Sequence, residues 1–572
     1  MKKHLELIAI FPALVLGWLI WRYGVDLPVW DEWHVPGVAI VQSVTEQITW
    51  EHWIYQHNES RKLFPRLLFV PLARLTNWNI KYEMLVSFLL ACSISFNVYQ
   101  LSKVTLNSAR KRGIYLFLAN LLIFSPMQWE NWLWGLQAIT FVPIASITAS
   151  LAIIFSQNFL LLKFLSSGIL ATIATFSFAN GLLSWIVIFP ALIWSGQRKK
   201  RTIPIVAGWL LLFVLNLTIY FHDFVEAENS PSFLEAFNNP FRTIAYFTSF
   251  LGSPLGLQTL VLNQIFGSIV IILFSFFCYY LWRNKQNYSL LNRAFPWLLI
   301  GSYTIGSGIL TTIGRVGFGV EQSLSSRYIT FSTYGMLSLI YLADLTLVDL
   351  KYRGDRFFVK VIKRSISISS MIFIILYVAN FSLGMSKIIA LNKDRLYAKA
   401  CLIFIHEINT SKCIKEYIFP KRRVLLKVAE QIDNIGYLQP PLVTNNRIEN
   451  ISKENLLGLV YGVFDRLERD EDDNYIASGW SVLPKDNRPA HAVILAYQTQ
   501  DNIPIAFALV KPDENRKDVV EASRKPQYLQ SGWSSTFSPN LIPEDAISIS
   551  AWSYDSQLGR AYQLTTEHKI AR

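Results

Sequence analysis

Long apolar runs separated by short polar loops fill the first two thirds of the chain. A membrane-spanning helix needs about 20 mainly apolar residues, and eleven runs approach or reach that length. They lie near residues 5–21, 84–102, 114–126, 138–156, 159–178, 181–197, 203–221, 262–282, 295–313, 329–348 and 366–387. The pattern predicts a polytopic α-helical membrane protein with eleven spans. The runs on either side of Asn180-Gly181 also fit one re-entrant hairpin.

The pattern changes after residue 388. Residues 388–455 mix apolar and charged positions at helical spacing, which predicts a helical linker. From residue 456, short runs rich in Val, Ile, Tyr and Trp alternate with turns of Asp, Asn, Pro and Gly, as in a β-sandwich. We therefore expect a transmembrane domain at 1–387 with a first outer loop at 23–82, a linker at 388–455, and a β-rich domain at 456–572.

The β-rich region contains the dipeptide Gly-Trp twice, at Gly479-Trp480 and Gly532-Trp533. The repetition is compatible with a weak internal repeat and with chance.

Composition agrees with a chain that uses lipid as its solvent. It is 52% hydrophobic and only 16% charged, whereas soluble domains contain about 25% charged residues. The net charge of +13 would by itself suggest a nucleic-acid partner. The location of the basic residues decides between a nucleic-acid-binding protein and a membrane protein.

Lysine and arginine are enriched in the cytoplasmic loops of membrane proteins. With eleven spans, all the main basic clusters fall on one side: Lys2-Lys3, Lys103 with Arg110 to Arg112, Arg198 to Arg201, Arg283 to Arg293, and Lys351 to Arg364. This predicts an integral inner-membrane (plasma-membrane) protein with a cytoplasmic N-terminus and an extracytoplasmic β-domain. The charge is then a topology signal, and no nucleic-acid partner is expected. The first run lacks a small-x-small cleavage site, so we expect an uncleaved helix.

The four cysteines include no C-x-x-C pair, which argues against a zinc ribbon. Cys92 and Cys278 lie in predicted spans and suit buried apolar positions. Cys401 and Cys413 lie beyond the last span in an oxidising compartment, so we predict a disulfide between them.

The segment VWDEWHVP, residues 29–36, places Asp31 and Glu32 between two tryptophans directly after the first span. One interpretation is a solvated acidic turn, with Trp30 and Trp33 in an interfacial aromatic belt. The other is a catalytic base, because a carboxylate near an apolar wall has a raised pKa and can accept a proton from a hydroxyl.

The same loop carries a second polar group flanked by amphipathic stretches: His57, Asn58, Glu59, Ser60 and Arg61. Two carboxylate-bearing groups in one loop favour a substrate cleft at the membrane surface. We predict that His57, Asn58, Glu59 and Arg61 bind substrate.

A long first outer loop with an acidic pair directly after the first span resembles the GT-C superfamily of integral-membrane glycosyltransferases. The many spans and the C-terminal outer domain are also similar to that superfamily. The resemblance implies a polyprenyl-phosphate-linked sugar donor and an acidic first-loop residue that acts as base or metal ligand. It implies Asp31 as the base with Glu32 beside it. It leaves open whether a divalent metal ion is a cofactor, and no residue is predicted as a metal ligand.

A lipid-phosphate donor needs cations on the outer face, and IGRVGFGVEQSLSSRYITFS, residues 313–332, supplies Arg315 and Arg327. Arginine binds phosphate through a planar fork of donors, and the glycines between the two arginines allow backbone N–H groups to approach. Tyr328 suits stacking on a sugar. The alternative is a glycine-rich turn with two snorkelling arginines.

The predicted outer loop SPMQWENWLWGLQ, residues 125–137, combines aromatic, acidic and amide side chains. We predict that Glu130, Asn131 and Trp132 contact a sugar ring, although an interfacial tryptophan belt is equally compatible.

The sequence therefore favours an inverting glycosyltransferase that moves a sugar from a polyprenyl-phosphate donor to a glycan, lipid or protein acceptor of the envelope. The alternatives are a transporter or flippase of lipid-linked glycans and a non-catalytic envelope assembly protein. A transporter would be expected to bury charges near the bilayer midplane, whereas the polar groups here gather toward one predicted face.

Overall fold

The computed structural model describes residues 7–195, 199–227, 230–454 and 458–570. It contains two compact units. Unit 1 comprises residues 1–24, 48–72 and 80–389, and unit 2 comprises residues 25–47, 73–79 and 390–572. Lys2, Lys3 and Arg198 of the basic clusters, and the ends of the predicted spans at 5–6 and 196–197, lie outside the described residues.

Unit 1 is mainly helical, and each of the eleven apolar runs overlaps a helix. These helices are Phe11–Tyr23, Ile80–Thr105, Ala109–Ile123, Ala138–Ile154, Leu160–Thr175, Leu183–Ser195, Lys199–Phe221, Leu260–Arg283, Tyr288–Arg315, Ile329–Tyr352 and Arg356–Ile403. A further helix, Pro240–Gly252, lies in the loop before the eighth of them.

Seven helical stretches in the described residues are long and apolar enough to cross a membrane: Ile80–Thr105, Gly135–Ile154, Ile203–Phe221, Leu260–Arg283, Tyr288–Phe318, Ser326–Tyr352 and Arg356–Ile403. Leu160–Thr175 and Ala179–Ser195 are shorter apolar helices. Length and composition thus indicate a polytopic membrane protein, and the count of eleven spans stays a prediction.

The two shorter apolar helices are joined by a tight 3-10 turn at Ala179–Leu182. A Cβ atom on Gly181 would lie 1.9 Å from the Ala174 carbonyl oxygen. Only glycine therefore allows the second helix to start this close to the end of the first.

The first loop is largely ordered into short elements. They are a 3-10 turn at Trp30–Trp33, helices Pro36–Val44, Trp50–Ile54 and Leu63–Thr76, and a hairpin of strands β1 (Gln56–His57) and β2 (Ser60–Arg61).

The C-terminal part of unit 2 is a β-sandwich of two antiparallel sheets. Its strands are β3 (Gly462–Arg469), β4 (Tyr475–Leu483), β5 (Arg488–Pro489), β6 (Ala492–Gln498), β7 (Pro504–Val510), β8 (Gly532–Phe537), β9 (Ser548–Asp555), β10 (Arg560–Gln563) and β11 (His568–Lys569). One sheet has the order β10-β9-β6-β7, with β11 also pairing β9. The other has the order β3-β4-β5, with β8 also pairing β4.

Strand β6 is buried on both faces. Val493 and Leu495 contribute to the core between the sheets, which also contains Phe464 and Trp533 of the opposite sheet. The alternate residues Ala492, Ile494 and Ala496 pack in a second core with Ile403 and Phe404. Because successive strand residues point to opposite faces, a nearly continuous apolar strand is required at this position.

The two Gly-Trp dipeptides face each other in the sheet, since Gly479 is paired with Trp533 and Trp480 with Gly532. A Cβ atom on Gly479 would lie 2.8 Å from the Trp533 ring. The glycine therefore leaves room for the buried indole of the partner strand.

Residues 390–403 continue helix Arg356–Ile403 into unit 2 without a break at residue 388. The described part of the predicted linker then contains helix Arg422–Asn434 and a disulfide between Cys401 and Cys413, whose Cα atoms are 6.4 Å apart. The predicted disulfide is confirmed.

Candidate functional site

Glu59 lies in the turn between strands β1 and β2, in unit 1. Asn58 adopts a left-handed conformation with φ of 48°, which asparagine tolerates better than most residues. The Glu59 carboxylate accepts hydrogen bonds from Ser230 Oγ and from Arg315 Nη2, both at 2.7 Å. Two residues predicted separately for substrate binding thus form one ion pair.

Arg61 fastens this hairpin to the end of helix Lys199–Phe221. Its guanidinium donates to the carbonyl oxygens of Tyr220, at 2.7 Å, and of His222. The Tyr220 hydroxyl in turn donates to the Glu59 carbonyl oxygen. The structure therefore shows that Arg61 holds the hairpin of Glu59 in place. Substrate binding by Arg61 and by the half-buried His57 stays a prediction.

Burial raises the pKa of Glu59, but the Arg315 charge and the Ser230 hydrogen bond outweigh this effect. The pKa of this carboxyl is therefore held below its usual range. Glu59 is ionised at neutral pH, which suits an electrostatic or positioning role better than that of a proton donor.

Tyr246 lies on helix Pro240–Gly252 and is fully buried. Its hydroxyl donates to Gln322 Oε1 at 2.7 Å and interacts with Tyr328. Burial raises the pKa of Tyr246, whereas the charges of Arg315 and Arg327 both act to lower it. Tyr246 thus links Tyr328 to Gln322, which lies in the loop between the two arginines.

Arg327 forms a second group with the loop at residues 125–137. Its Nε lies 3.8 Å from Glu130 Oε1 and donates to Ser325 Oγ at 3.2 Å, and its guanidinium lies 5.7 Å from the Trp134 ring centroid. The Ser326 hydroxyl donates to Glu130 Oε2 at 2.7 Å. These contacts fix the Glu130 carboxylate beside Arg327.

Asn131 and Trp132 are buried and bonded to the protein. Asn131 Nδ2 donates to the Arg327 carbonyl oxygen at 3.0 Å. Trp132 Nε1 donates to the Ser125 carbonyl oxygen at 2.9 Å, and its ring is fully buried. These contacts position the loop, and sugar contact by the two residues stays a prediction.

An open depression of about 400 Å³ lies beside Glu130. Its lining includes Trp129, Glu321, Gln322 and Ser325. An aromatic ring with carboxylates, amides and hydroxyls is the chemistry that a sugar requires.

An apolar groove of about 290 Å³ in unit 1 runs along the first part of helix Leu63–Thr76. Its lining extends from Phe64 and Leu68 to Ser177. At that end the Phe64 N–H donates to the Phe176 carbonyl oxygen at 3.3 Å, and the Ala179 N–H donates to Ser60 Oγ at 3.1 Å. The groove therefore ends next to the hairpin that carries Glu59.

The acidic pair Asp31 and Glu32 belongs to unit 2. Glu32 is fully buried, and its Oε2 accepts a hydrogen bond from the Val29 N–H at 2.6 Å, which caps the 3-10 turn. Asp31 is half-buried. Within the pair, Glu32 thus has a structural role and Asp31 is the better placed for chemistry.

Trp33 is not an interfacial belt residue, contrary to one of the two interpretations of the sequence. It is 1% exposed, its Nε1 donates to the Pro28 carbonyl oxygen at 3.0 Å, and its ring packs edge-on against Trp78. Because the Trp33 indole is buried and its N–H is bonded to the backbone, this side chain cannot anchor the chain at a membrane–water interface.

Three residues of the site were not predicted from the sequence: Ser230, Tyr246 and Gln322. Each is a single polar residue in a loop or an amphipathic helix, without a motif around it. Only tertiary contacts identify them: Ser230 donates to Glu59, and Tyr246 donates to Gln322.

No group of three or more His, Cys, Asp or Glu side chains that could hold a metal ion occurs in the residues the structure describes.

No protein-family model matches the chain, and no curated protein or solved structure matches it either.

Proposed function

We propose that the chain is a membrane glycosyltransferase of the GT-C type that uses a polyprenyl-phosphate-linked sugar as donor. The observation that supports this proposal is the apolar groove of unit 1, which ends next to the hairpin that carries Glu59, the ion-pair partner of Arg315. An apolar chain attached to an anionic head requires such a groove leading to cations. The acceptor is a glycan, lipid or protein of the envelope.

The arginines suit the departing phosphate. The Arg315 and Arg327 side chains are 28% and 37% exposed, so each can offer further N–H donors. Charge-assisted hydrogen bonds to phosphate are about twice as strong as neutral ones, and they stabilise the charge that develops as the sugar–phosphate bond breaks. The depression beside Glu130 takes the sugar.

Asp31 is the proposed base. It removes a proton from the acceptor hydroxyl, whose oxygen forms a bond to the anomeric carbon while the phosphate leaves with the electrons of the broken bond. This single displacement inverts the configuration of the sugar. No step is assigned to a metal ion.

The chain crosses the inner membrane eleven times, with its N-terminus in the cytoplasm and the β-sandwich outside. Single-cysteine labelling of intact cells, in a background without the native cysteines, tests this arrangement. A cysteine at position 500 should react with an impermeant maleimide and one at position 199 should not, and the reverse pattern would disprove the topology.

Sugar transfer is tested with the full chain in proteoliposomes that contain polyprenyl-phosphate donors labelled in the sugar. The panel covers hexose and pentose donors, and the readout is label lost from the lipid to an acceptor extract. Arg315→Ala should abolish transfer. Arg353→Ala should not, because Arg353 directly follows the C-terminal end of helix Ile329–Tyr352, whereas Arg327 precedes the N-terminal end of that helix.

The main alternative, a flippase of the same lipid, uses the same groove. It predicts movement of intact labelled lipid between the leaflets with no loss of its sugar. That result, with every donor of the panel, would overturn the transferase and favour transport.

A further inference from the structure

Residues 412–427 of unit 2 form a strongly cationic segment. Five of its basic side chains are exposed: Lys412, Lys415, Lys421, Arg423 and Lys427. Glu416 is the only acidic residue in the segment. None of the five forms an ion pair with another described residue. The segment therefore carries charge that the described protein does not neutralise.

Packing does not explain these cations. Helix Arg422–Asn434 buries the apolar residues Leu425, Val428, Ala429 and Ile432. Arg423 and Lys427 are four positions apart and share an exposed face. Like charges on one face repel each other, so they favour a partner of opposite sign.

Topology does not explain them either. Basic residues that orient a membrane protein lie in cytoplasmic loops, whereas residues 412–427 follow the last predicted span. Their charge is separate from the clusters that predict the orientation.

Two connections hold the segment to parts of unit 2 that continue into predicted spans. The Cys401–Cys413 disulfide ties its start to helix Arg356–Ile403. Phe419 contacts the His34 ring, with centroids 5.2 Å apart, and helix Arg422–Asn434 packs against helix Pro36–Val44. His34 follows the end of helix Phe11–Tyr23 by eleven residues. The segment is therefore joined, within unit 2, to two stretches of chain that continue into predicted spans.

We propose that residues 412–427 bind the headgroups of anionic phospholipids in the leaflet that faces unit 2. Charge complementarity selects this partner, because a polybasic segment gains on the order of fivefold in binding for each lysine or arginine near an anionic surface. The interaction is electrostatic, so salt weakens it. It does not depend on the proposed glycosyltransferase activity.

The test compares the full chain in nanodiscs of phosphatidylcholine alone and of phosphatidylcholine with phosphatidylglycerol. Acetylation of individual lysines is followed by mass spectrometry. Lys412, Lys415, Lys421 and Lys427 should react several-fold more slowly with phosphatidylglycerol present, and molar salt should restore their rates. The exposed lysines Lys453, Lys485, Lys517 and Lys569 are internal controls and should not change. Equal rates in the two discs would overturn the proposal.

A charge-matched pair of variants provides a second test. Replacing Lys412, Lys415, Lys421 and Lys427 with Gln should abolish the preferential retention of phosphatidylglycerol by the protein during extraction. Replacing the four control lysines with Gln removes the same charge and should leave retention unchanged. If both variants lose it equally, net charge rather than this segment is responsible, and the proposal fails.

A soluble polyanion, polyphosphate, separates a lipid surface from an anionic polymer. Protection of the four lysines by polyphosphate in phosphatidylcholine discs, without protection by phosphatidylglycerol, would identify a polymer-binding surface and exclude the lipid.

Discussion

Arg315 Nη2 donates a hydrogen bond to Glu59 Oε2 at 2.7 Å, although the two residues are 256 positions apart. The bond joins the hairpin of the first loop to the end of helix Tyr288–Arg315. The pair therefore holds the Arg315 guanidinium in one orientation. In the proposed transferase, the donor phosphate would compete with Glu59 for this guanidinium.

The Glu59–Arg315 pair should couple in a double-mutant cycle. Glu59→Gln and Arg315→Gln should each destabilise the chain by roughly 1.5–3 kcal/mol, because each leaves a partly buried charge without its partner. The double variant should cost less than the sum. Thermal unfolding in detergent measures all four proteins.

The same pair has a defined pH dependence. The pKa of Glu59 is lowered in the folded chain, so the pair stabilises the fold above about pH 4.3, the usual glutamate value, and this contribution is lost as pH falls through the folded pKa. The stability difference between the parent and Glu59→Gln should shrink in acid. A constant difference would contradict the ion pair.

Arg327→Lys should impair donor binding while leaving the fold intact. Lysine keeps the charge but loses the planar fork, which donates to Ser325 and which we propose binds the donor phosphate. We expect a loss of about tenfold or more in donor affinity, the effect of one charge-assisted hydrogen bond. Arg353→Lys is the matched control, since Arg353 pairs with Asp349 at the other end of the helix. Equal donor affinities would remove Arg327 from the site.

His491 should make the β-sandwich sensitive to mild acid. It is fully buried beside Asp555, 3.3 Å away, with Arg488 and Asp486 nearby. Burial lowers the pKa of His491, although Asp555 opposes this effect. The unfolded chain then binds the proton more readily, so stability should fall as pH drops below about 6.5, the usual histidine value. Melting temperatures from pH 7.5 to 5.5 should decline more steeply for the parent than for His491→Gln, and equal slopes would contradict this role of His491.

The Cys401–Cys413 disulfide should leave two of the four cysteines reactive. In the unfolded, unreduced chain, maleimide should add to Cys92 and Cys278 only, and reduction should raise the count to four. Replacing both bonded cysteines with Ala should cost about 3 kcal/mol, as expected for a short loop. Four adducts without reductant would show that the bond is absent.

Much of the fold was predictable from local pattern. Apolar runs predicted where helices occur, and alternating short runs predicted the sandwich, because both depend on which faces are buried. The continuous helix through residue 388 was not predicted, since mixed polarity near a membrane edge resembles a linker.

The site was less predictable, because it depends on contacts between distant segments. Glu59 and Arg315 were each selected as polar residues in outer loops, but nothing local predicted their bond. Glu32 resembled a catalytic partner of Asp31, and only its hydrogen bond to the Val29 N–H reveals a cap.

Asp31 and Glu32 should therefore fail in different ways when replaced. Asp31→Asn keeps the shape of a half-buried side chain but cannot accept a proton at neutral pH, so sugar transfer should fall by about 10²–10⁴-fold with folding preserved. Glu32→Gln weakens a buried charge-assisted hydrogen bond and should cost roughly 1.5–3 kcal/mol of stability. Transfer of labelled sugar and melting temperature, measured at equal protein levels, separate the two effects.

Glu51→Gln, at an exposed position of the same loop, controls for the loss of one carboxylate. Parental transfer by Asp31→Asn would end its catalytic role, and lost transfer by Glu32→Gln at an unchanged melting temperature would assign the base to Glu32 instead.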